Sequence, residues 1–212
     1  MIVTLTPNPS IDRTMLVRKL LPGEVNRATS SRIDPGGKGV NVARALVRNG
    51  HPARAIVPLG GSNGELLASL LQEAEIPFDT VPIAGNTRTN TTIVDPAGVT
   101  TKVNEPGPEL SPNEMNQLAN AVGRAAGPVV LCGSLPPGTP DSFLAEIIAG
   151  YPGRVAVDTS GAPLAAAVTA KPWLIKPNRE ELSELTGREL PTLQAVVDAA
   201  RELLANGVGV VV

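Results

Sequence analysis

Asp34-Pro35-Gly36-Gly37-Lys38-Gly39-Val40-Asn41-Val42-Ala43-Arg44-Ala45-Leu46 is a glycine-rich turn that runs straight into a helix. Gly36, Gly37 and Gly39 free the backbone to adopt positive φ and to approach a ligand with no Cβ in the way. Val42, Leu46 and Val47 recur at helical spacing, and Arg44 and Arg48 sit four apart on the other side. A helix start offers free N–H groups and the positive end of a dipole, and Lys38 adds a full charge there, so a phosphate or a sugar hydroxyl is the natural guest. Two better-known glycine motifs do not fit. A P-loop needs a first glycine where Arg32 stands and a hydroxyl where Gly39 stands. The dinucleotide fingerprint would need a glycine at Val42. On pattern alone, a purely structural turn is the alternative.

Working outward, short β-prone runs alternate with helical ones. Residues 1–6 form an apolar run stopped by Pro7 and Pro9, which places Asp12 just past a strand end, where open α/β sheets bind ligands. Strands are expected at 53–59, 78–83, 129–132, 154–158, 173–176 and 208–212, and helices at 64–74, 140–149, 164–169 and 192–206. Ser111-Pro112-Asn113-Glu114 is a capping box with proline at the first helical position, flanked by Leu110 and Met115 as a hydrophobic staple. Strands alternating with helices imply an α/β fold with a doubly wound, mostly parallel sheet flanked by helices. Two stretches break the rhythm. Residues 13–34 turn at Pro22-Gly23 and residues 86–104 turn at Asp95-Pro96-Ala97-Gly98, which together read as a small β-sheet lid inserted in one α/β domain of 1–212.

Composition excludes whole classes. With 212 residues and 42% hydrophobic content the chain can bury a full core. A net charge of −2 gives no field for nucleic acid or an anionic membrane, so neither is an expected partner. A single Cys132 makes no internal disulfide, no apolar run is long enough to span a bilayer, and a cytoplasmic location is expected. One cysteine and one histidine also rule out a Cys/His zinc cluster and a Ser-His-Asp hydrolase. His51 lies in a helix-ending turn, and Cys132 closes an apolar run as a small buried hydrophobe.

Four motifs in order carry a family resemblance over essentially the whole chain. Thr6-Pro7-Asn8-Pro9-Ser10-Ile11-Asp12, the turn Pro35–Ala45, Gly133-Ser134-Leu135-Pro136-Pro137-Gly138 and Lys176-Pro177-Asn178-Arg179-Glu180-Glu181-Leu182 resemble the ribokinase-like carbohydrate kinases of the phosphofructokinase B type. The likeness is strongest to the bacterial kinases of fructose 1-phosphate. It implies an ATP-dependent kinase of a sugar phosphate, with tagatose 6-phosphate as runner-up acceptor and a non-catalytic sugar-phosphate-binding protein as the alternative of another class. It also implies ATP and Mg2+ as cofactors, a sugar phosphate as small-molecule partner, and a homodimer through the β lid. Asp12, Arg27, Gly36, Gly37, Lys38, Asn41, Arg88 and Ser134 would then bind the acceptor, Lys176 and Asn178 the nucleotide, and Asn178 and Glu181 the metal. The plainer readings are an Asx turn for Asp12, a solvated surface side chain for Arg27, and a helix N-cap with its N3 partner for Asn178 and Glu181. The family's Gly-Ala-Gly-Asp motif, with its catalytic base and anion hole, is absent from these residues. The resemblance therefore puts the catalytic Asp beyond Val212, no catalytic residue is assigned, and the chain is expected to be C-terminally incomplete and inactive alone.

Overall fold

A computed structural model describes all 212 residues. In chain order the elements are β1 (Ile2–Leu5), β2 (Ser10–Val17), β3 (Ala28–Gly36), α1 (Lys38–Arg48), β4 (Ala53–Leu59), α2 (Gly61–Glu73), β5 (Phe78–Pro82), β6 (Arg88–Val94), β7 (Thr100–Asn104), α3 (Pro112–Gly123), β8 (Val129–Cys132), α4 (Phe143–Gly150), β9 (Val155–Asp158), α5 (Gly161–Thr169), β10 (Leu174–Ile175), α6 (Arg179–Thr186), α7 (Leu193–Ala205) and β11 (Val210–Val211). Seven strands form one sheet in the order β11-β10-β9-β8-β1-β4-β5, and every adjacent pair in it is parallel. The remaining four form a second, mixed sheet in the order β3-β2-β6-β7.

Both faces of the large sheet are buried, so its strands are short apolar runs rather than alternating ones. β4 shows this: Ala53, Ala55, Val57 and Leu59 pack with α1 and α2 in one core, while Ile56 points to the other. That other core gathers Val3, Leu5, Leu131 and Val157 under α3, α4, α5 and α7. The Ser111–Glu114 capping box forms as the sequence predicts, with Ser111 Oγ accepting from the Glu114 N–H and the Glu114 carboxylate accepting from the Ser111 N–H at 2.7 Å. Helix α4 starts at Phe143, three residues later than expected, because Pro140-Asp141-Ser142 forms a turn first. Helix α5 starts earlier than expected, at Gly161.

The final strand is also corrected. The sequence predicts a strand from Val208 through Val212, but β11 holds only Val210 and Val211. Val208 is buried in the core instead, and Val212 lies past the strand with 66% of its surface exposed. The Val212 N–H still donates to the Ile175 carbonyl at 3.0 Å, which carries the β10–β11 ladder one hydrogen bond further.

From β1 the chain builds the sheet one way through β4 and β5, then crosses back to add β8, β9, β10 and β11 on the other side. The strand order therefore reverses between β1 and β8, and the crevice outside their carboxyl ends is where such sheets take ligands. The second sheet leaves from that edge, since β2 begins five residues after β1 ends and β3 returns into the glycine turn.

Candidate acceptor and nucleotide site

The glycine turn is pressed onto the end of β1. Gly37 has φ 112° and precedes α1; a Cβ on it would stand 2.6 Å from Thr6 Cγ2, and one on Gly39 would stand 2.9 Å from the Leu5 carbonyl oxygen. Only glycine lets α1 start this close to the strand. The first turn of α1 has no side-chain cap and no acidic residue, so its N–H groups face the crevice unneutralised. Gly36 has a different neighbour: a Cβ there would meet the Asp12 carboxylate, with Oδ2 at 2.5 Å.

Strand pairing in the second sheet aligns side chains that are far apart in sequence. Asp34, Asp12, Asn90 and Asn104 are register partners across β3, β2, β6 and β7, and one step outward Arg32, Thr14, Thr92 and Lys102 form a parallel row on the same face. These eight, with Asn41 and Arg44 of α1 opposite, line a cleft of about 350 Å³ that has no hydrophobic residue in its wall. Such a surface suits a polyol. Asp12 Oδ1 accepts from Ser10 Oγ at 2.7 Å and from Asn90 Nδ2 at 3.2 Å, while Oδ2 takes no hydrogen bond from the protein. Arg32 pairs with Asp34 at 2.7 Å, and Arg44 donates to Asn41 Oδ1 at 2.6 Å.

Arg88, opposite Ser10 at the inner edge of this face, donates from Nη1 to the Glu105 carbonyl at 3.0 Å. Its Nε is buried with no partner, as is Asn90 Oδ1. Burial lowers the Arg88 pKa from its ordinary value, and Asp12 and Glu105 act the other way. A partly desolvated guanidinium with an unused donor is a ready anion contact.

A second cluster lies at the ends of β8, β9 and β10. Lys38 Nζ contacts Asp158 Oδ1 at 3.0 Å and Lys176 Nζ contacts the same oxygen at 3.5 Å. Asp158 closes β9 beside Cys132 in register, and its carbonyl accepts from the Gly133 N–H. Ser134 is exposed next to this cluster and makes no side-chain hydrogen bond. Burial first, and then Asp158, push the Cys132 thiol up to about 12, with Lys38 and Lys176 opposing.

Several expectations are corrected here. Lys38 does not join the acceptor cleft; it reaches over β9 to Asp158. Arg27 is exposed just before β3 begins at Ala28, seven positions before Asp34, the register partner of Asp12, and it does not line the cleft of its own chain. Gly36 and Gly37 shape the turn and hold its close packing. Asp158 has a glycine neighbour in Gly133, which the sequence does not show. Asn178 and Glu181 form a reciprocal capping box at the start of α6: Glu181 N–H donates to Asn178 Oδ1 at 2.8 Å, and Asn178 N–H to Glu181 Oε2 at 2.9 Å. No group of three His, Cys, Asp or Glu side chains gathers anywhere to hold a metal. Val212, after which the resemblance puts the catalytic Asp, stands beside β10 and brings no side chain to either cluster. The sequence reading missed Asn90, Lys102 and Asn104, and set Asp158 aside as a strand-end residue with no adjoining glycine. A polar residue at every second position of a strand, as in Asn90 and Thr92 or Lys102 and Asn104, is the signal that could have found the first three. A groove of about 680 Å³ between α3 and α4 shares no residue with either cluster.

A doubly wound parallel sheet with a glycine turn at its switch point and a small mixed side sheet is the architecture that positions both clusters. Residues 6–212 match the pfkB family carbohydrate kinases, and the chain belongs to that family. It is 41% identical over 221 residues to 1-phosphofructokinase of Xanthomonas campestris pv. campestris, covering 99% of this chain and 70% of that protein. It is 39% identical over 218 residues to 1-phosphofructokinase of Rhodobacter capsulatus, covering 99% and 69%. The phosphofructokinase-2 from Escherichia coli, solved in complex with fructose-6-phosphate, superposes with a TM-score of 0.94 at 37% identity, covering 99% of this chain and 72% of that one. No helix is long and apolar enough to cross a membrane.

Proposed function

We propose that this chain serves the ATP-dependent phosphorylation of fructose 1-phosphate to fructose 1,6-bisphosphate, in the cytoplasm. The observation that carries the reading is the polar cleft itself: Asp12 Oδ2 open to accept from sugar hydroxyls, Asn90 Oδ1 and Arg88 Nε unpartnered beside it, and the uncapped start of α1 opposite. Asp12 and Asn90 orient the ring hydroxyls, and Arg88 meets the phosphate already on the sugar. The names of two relatives favour fructose 1-phosphate over tagatose 6-phosphate and over a binding protein without activity. The second sheet acts as the lid over the sugar, and exposed Val103 on β7, together with Val25 and Val99 in the loops that join its strands, are apolar side chains a second copy would cover.

Lys176 and Asn178 stand at the nucleotide end. Of the side-chain oxygens of Asn178 and Glu181 only Glu181 Oε1 accepts no hydrogen bond in the helix cap, which fits a hydrated Mg2+ touched through water rather than a directly bound ion. When bound, Mg2+ would neutralise nucleotide phosphate charge. Transfer of a phosphoryl group depends chiefly on positioning and on fixed cations and N–H donors, which is the chemistry this edge offers.

Calorimetry with fructose 1-phosphate, fructose 6-phosphate, tagatose 6-phosphate and fructose tests the reading. Fructose 1-phosphate should bind tightest, and Arg88→Ala should weaken it about tenfold or more while leaving fructose unchanged, since a charge-assisted contact contributes about 1.5–3 kcal/mol. Equal affinity of the wild type for fructose and fructose 1-phosphate refutes a phosphate-bearing acceptor; a preference for fructose 6-phosphate moves the acceptor to that sugar.

A further inference from the structure

Lys38 and Lys176 come from different motifs, 138 positions apart by their numbers, yet both ammonium groups rest on one carboxylate oxygen, Asp158 Oδ1. Two like charges held this close repel, and they stay together only because the shared anion lies between them. The arrangement is layered. The Asp158 side chain is 17% exposed, while Lys38 and Lys176 are 48% and 51% exposed, so the anion is inside and the cations face out. Asp158 is also fixed on a rigid base: it pairs with Cys132 across β8 and β9, its carbonyl holds the Gly133 N–H, and Thr159 Oγ donates to the Gly133 carbonyl at 2.8 Å. The net charge of the three groups is +1, and each ammonium keeps donors that Asp158 does not use.

We propose that Asp158 is a positioning residue that presets Lys38 and Lys176 as a two-cation seat for the terminal phosphate of the nucleotide. This deepens the reading of the strand-end edge as a nucleotide site and rests on it. A phosphate group has three oxygens on one centre, so two ammonium groups that share a carboxylate oxygen can also share a phosphate. Lysine stems are flexible, and holding both before the ligand arrives removes an ordering cost from binding. Lys38 thereby changes role: it is a nucleotide-side cation borne by the acceptor-side turn, and it ties α1 to the nucleotide edge.

The proposal and a plain charge effect predict opposite signs. Asp158→Asn raises the local charge from +1 to +2, so if Asp158 were only a neighbouring anion the variant would bind polyphosphate more tightly. If Asp158 positions the lysines, the variant binds more weakly. The test is metal-free calorimetry at low ionic strength, comparing the non-hydrolysable triphosphate analogue adenylyl imidodiphosphate with AMP, which lacks the terminal phosphate. Asp158→Asn should weaken the triphosphate analogue about tenfold and leave AMP within twofold, as expected when two side chains lose their preorganisation. Lys38→Ala should show the same split, the double variant should be no weaker than Lys38→Ala, and Asp158→Glu should restore part of the loss. Thermal unfolding of each variant shows that the fold is kept. Equal or tighter analogue binding by Asp158→Asn overturns the proposal and leaves the nucleotide site standing; equal losses for AMP and the analogue also overturn it, as a general structural effect. A wild type that does not prefer the analogue to AMP overturns the proposal together with the nucleotide site, while the sugar-phosphate titrations stand separately.

Discussion

Gly36→Ala is the smallest change that should disable the acceptor cleft. Gly36 does not have positive φ, so alanine is acceptable to the backbone, and the cost is entirely one of space. The added methyl would lie 2.5 Å from Asp12 Oδ2, against an ordinary contact of about 3.5 Å, so the carboxylate must retreat by roughly 1 Å. That retreat pulls Asp12 Oδ1 away from Ser10 Oγ and Asn90 Nδ2, now at 2.7 and 3.2 Å, and takes Oδ2 out of reach of the sugar. Overpacking costs about 1–3 kcal/mol, and because Asp12 borders an open cleft the lower end applies, a fall of about 2–4 °C in Tm for a chain of this size. Affinity suffers more: losing the charge-assisted hydroxyl contact, at about 1.5–3 kcal/mol, weakens fructose 1-phosphate roughly 10- to 100-fold by calorimetry. Gly123→Ala, at the end of α3 with nothing within 4 Å of the new methyl, is the control and should be neutral or slightly stabilising. If Gly36→Ala binds fructose 1-phosphate as the wild type does, Asp12 is not the residue that holds the sugar.

Two further outcomes follow from titrating groups. Glu114, 9% exposed, has its pKa lowered by the Ser111 backbone hydrogen bond first, then by Ser111 Oγ and the Ala84 N–H, so the stability it adds is present above the ordinary glutamate range and is lost as pH falls through the lower folded value; Glu114→Gln should remove that part of the acid sensitivity in pH-dependent denaturation. Cys132, pushed up to about 12 from 9.0, should carry roughly a thousandfold less thiolate at pH 8 than an ordinary cysteine, so a disulfide reagent should label it far more slowly in the native protein than in urea, and equal rates would show that the thiol is not buried.

What the sequence revealed was local. The Ser111 capping box with Pro112, the helix after the glycine turn and the alternation of short apolar runs with helices are all set by residues within a few positions of one another, and each stands in the structure. The acceptor cleft is set by register instead. Asn90 meets Ser10 across 80 positions and Lys38 meets Asp158 across 120, and no neighbouring residue records either pairing. Lys38 shows how local reading misleads: it follows Gly37 directly, which suggests one ligand for both, but as the first residue of α1 its side chain turns away from the turn's own cleft toward β9.

Asn178 and Glu181 make the opposite case, where two readings use the same atoms. The spacing Asn-x-x-Glu fits both a metal-ordering pair and a helix start, and the helix start is what forms, consuming Asn178 Oδ1 and Glu181 Oε2. That outcome narrows the metal role rather than removing it. A cap fixes the rotamers of both side chains, so the single oxygen it leaves, Glu181 Oε1, is held in a defined direction at the N-terminus of α6, three residues after the end of the loop that carries Lys176. A lone carboxylate oxygen cannot hold a bare Mg2+ but can orient a water bound to one, because that ion keeps most of its hydration. The capping box is therefore the scaffold of the proposed metal contact, and the residue types that sequence statistics assign to a cap are the ones the chemistry would also need.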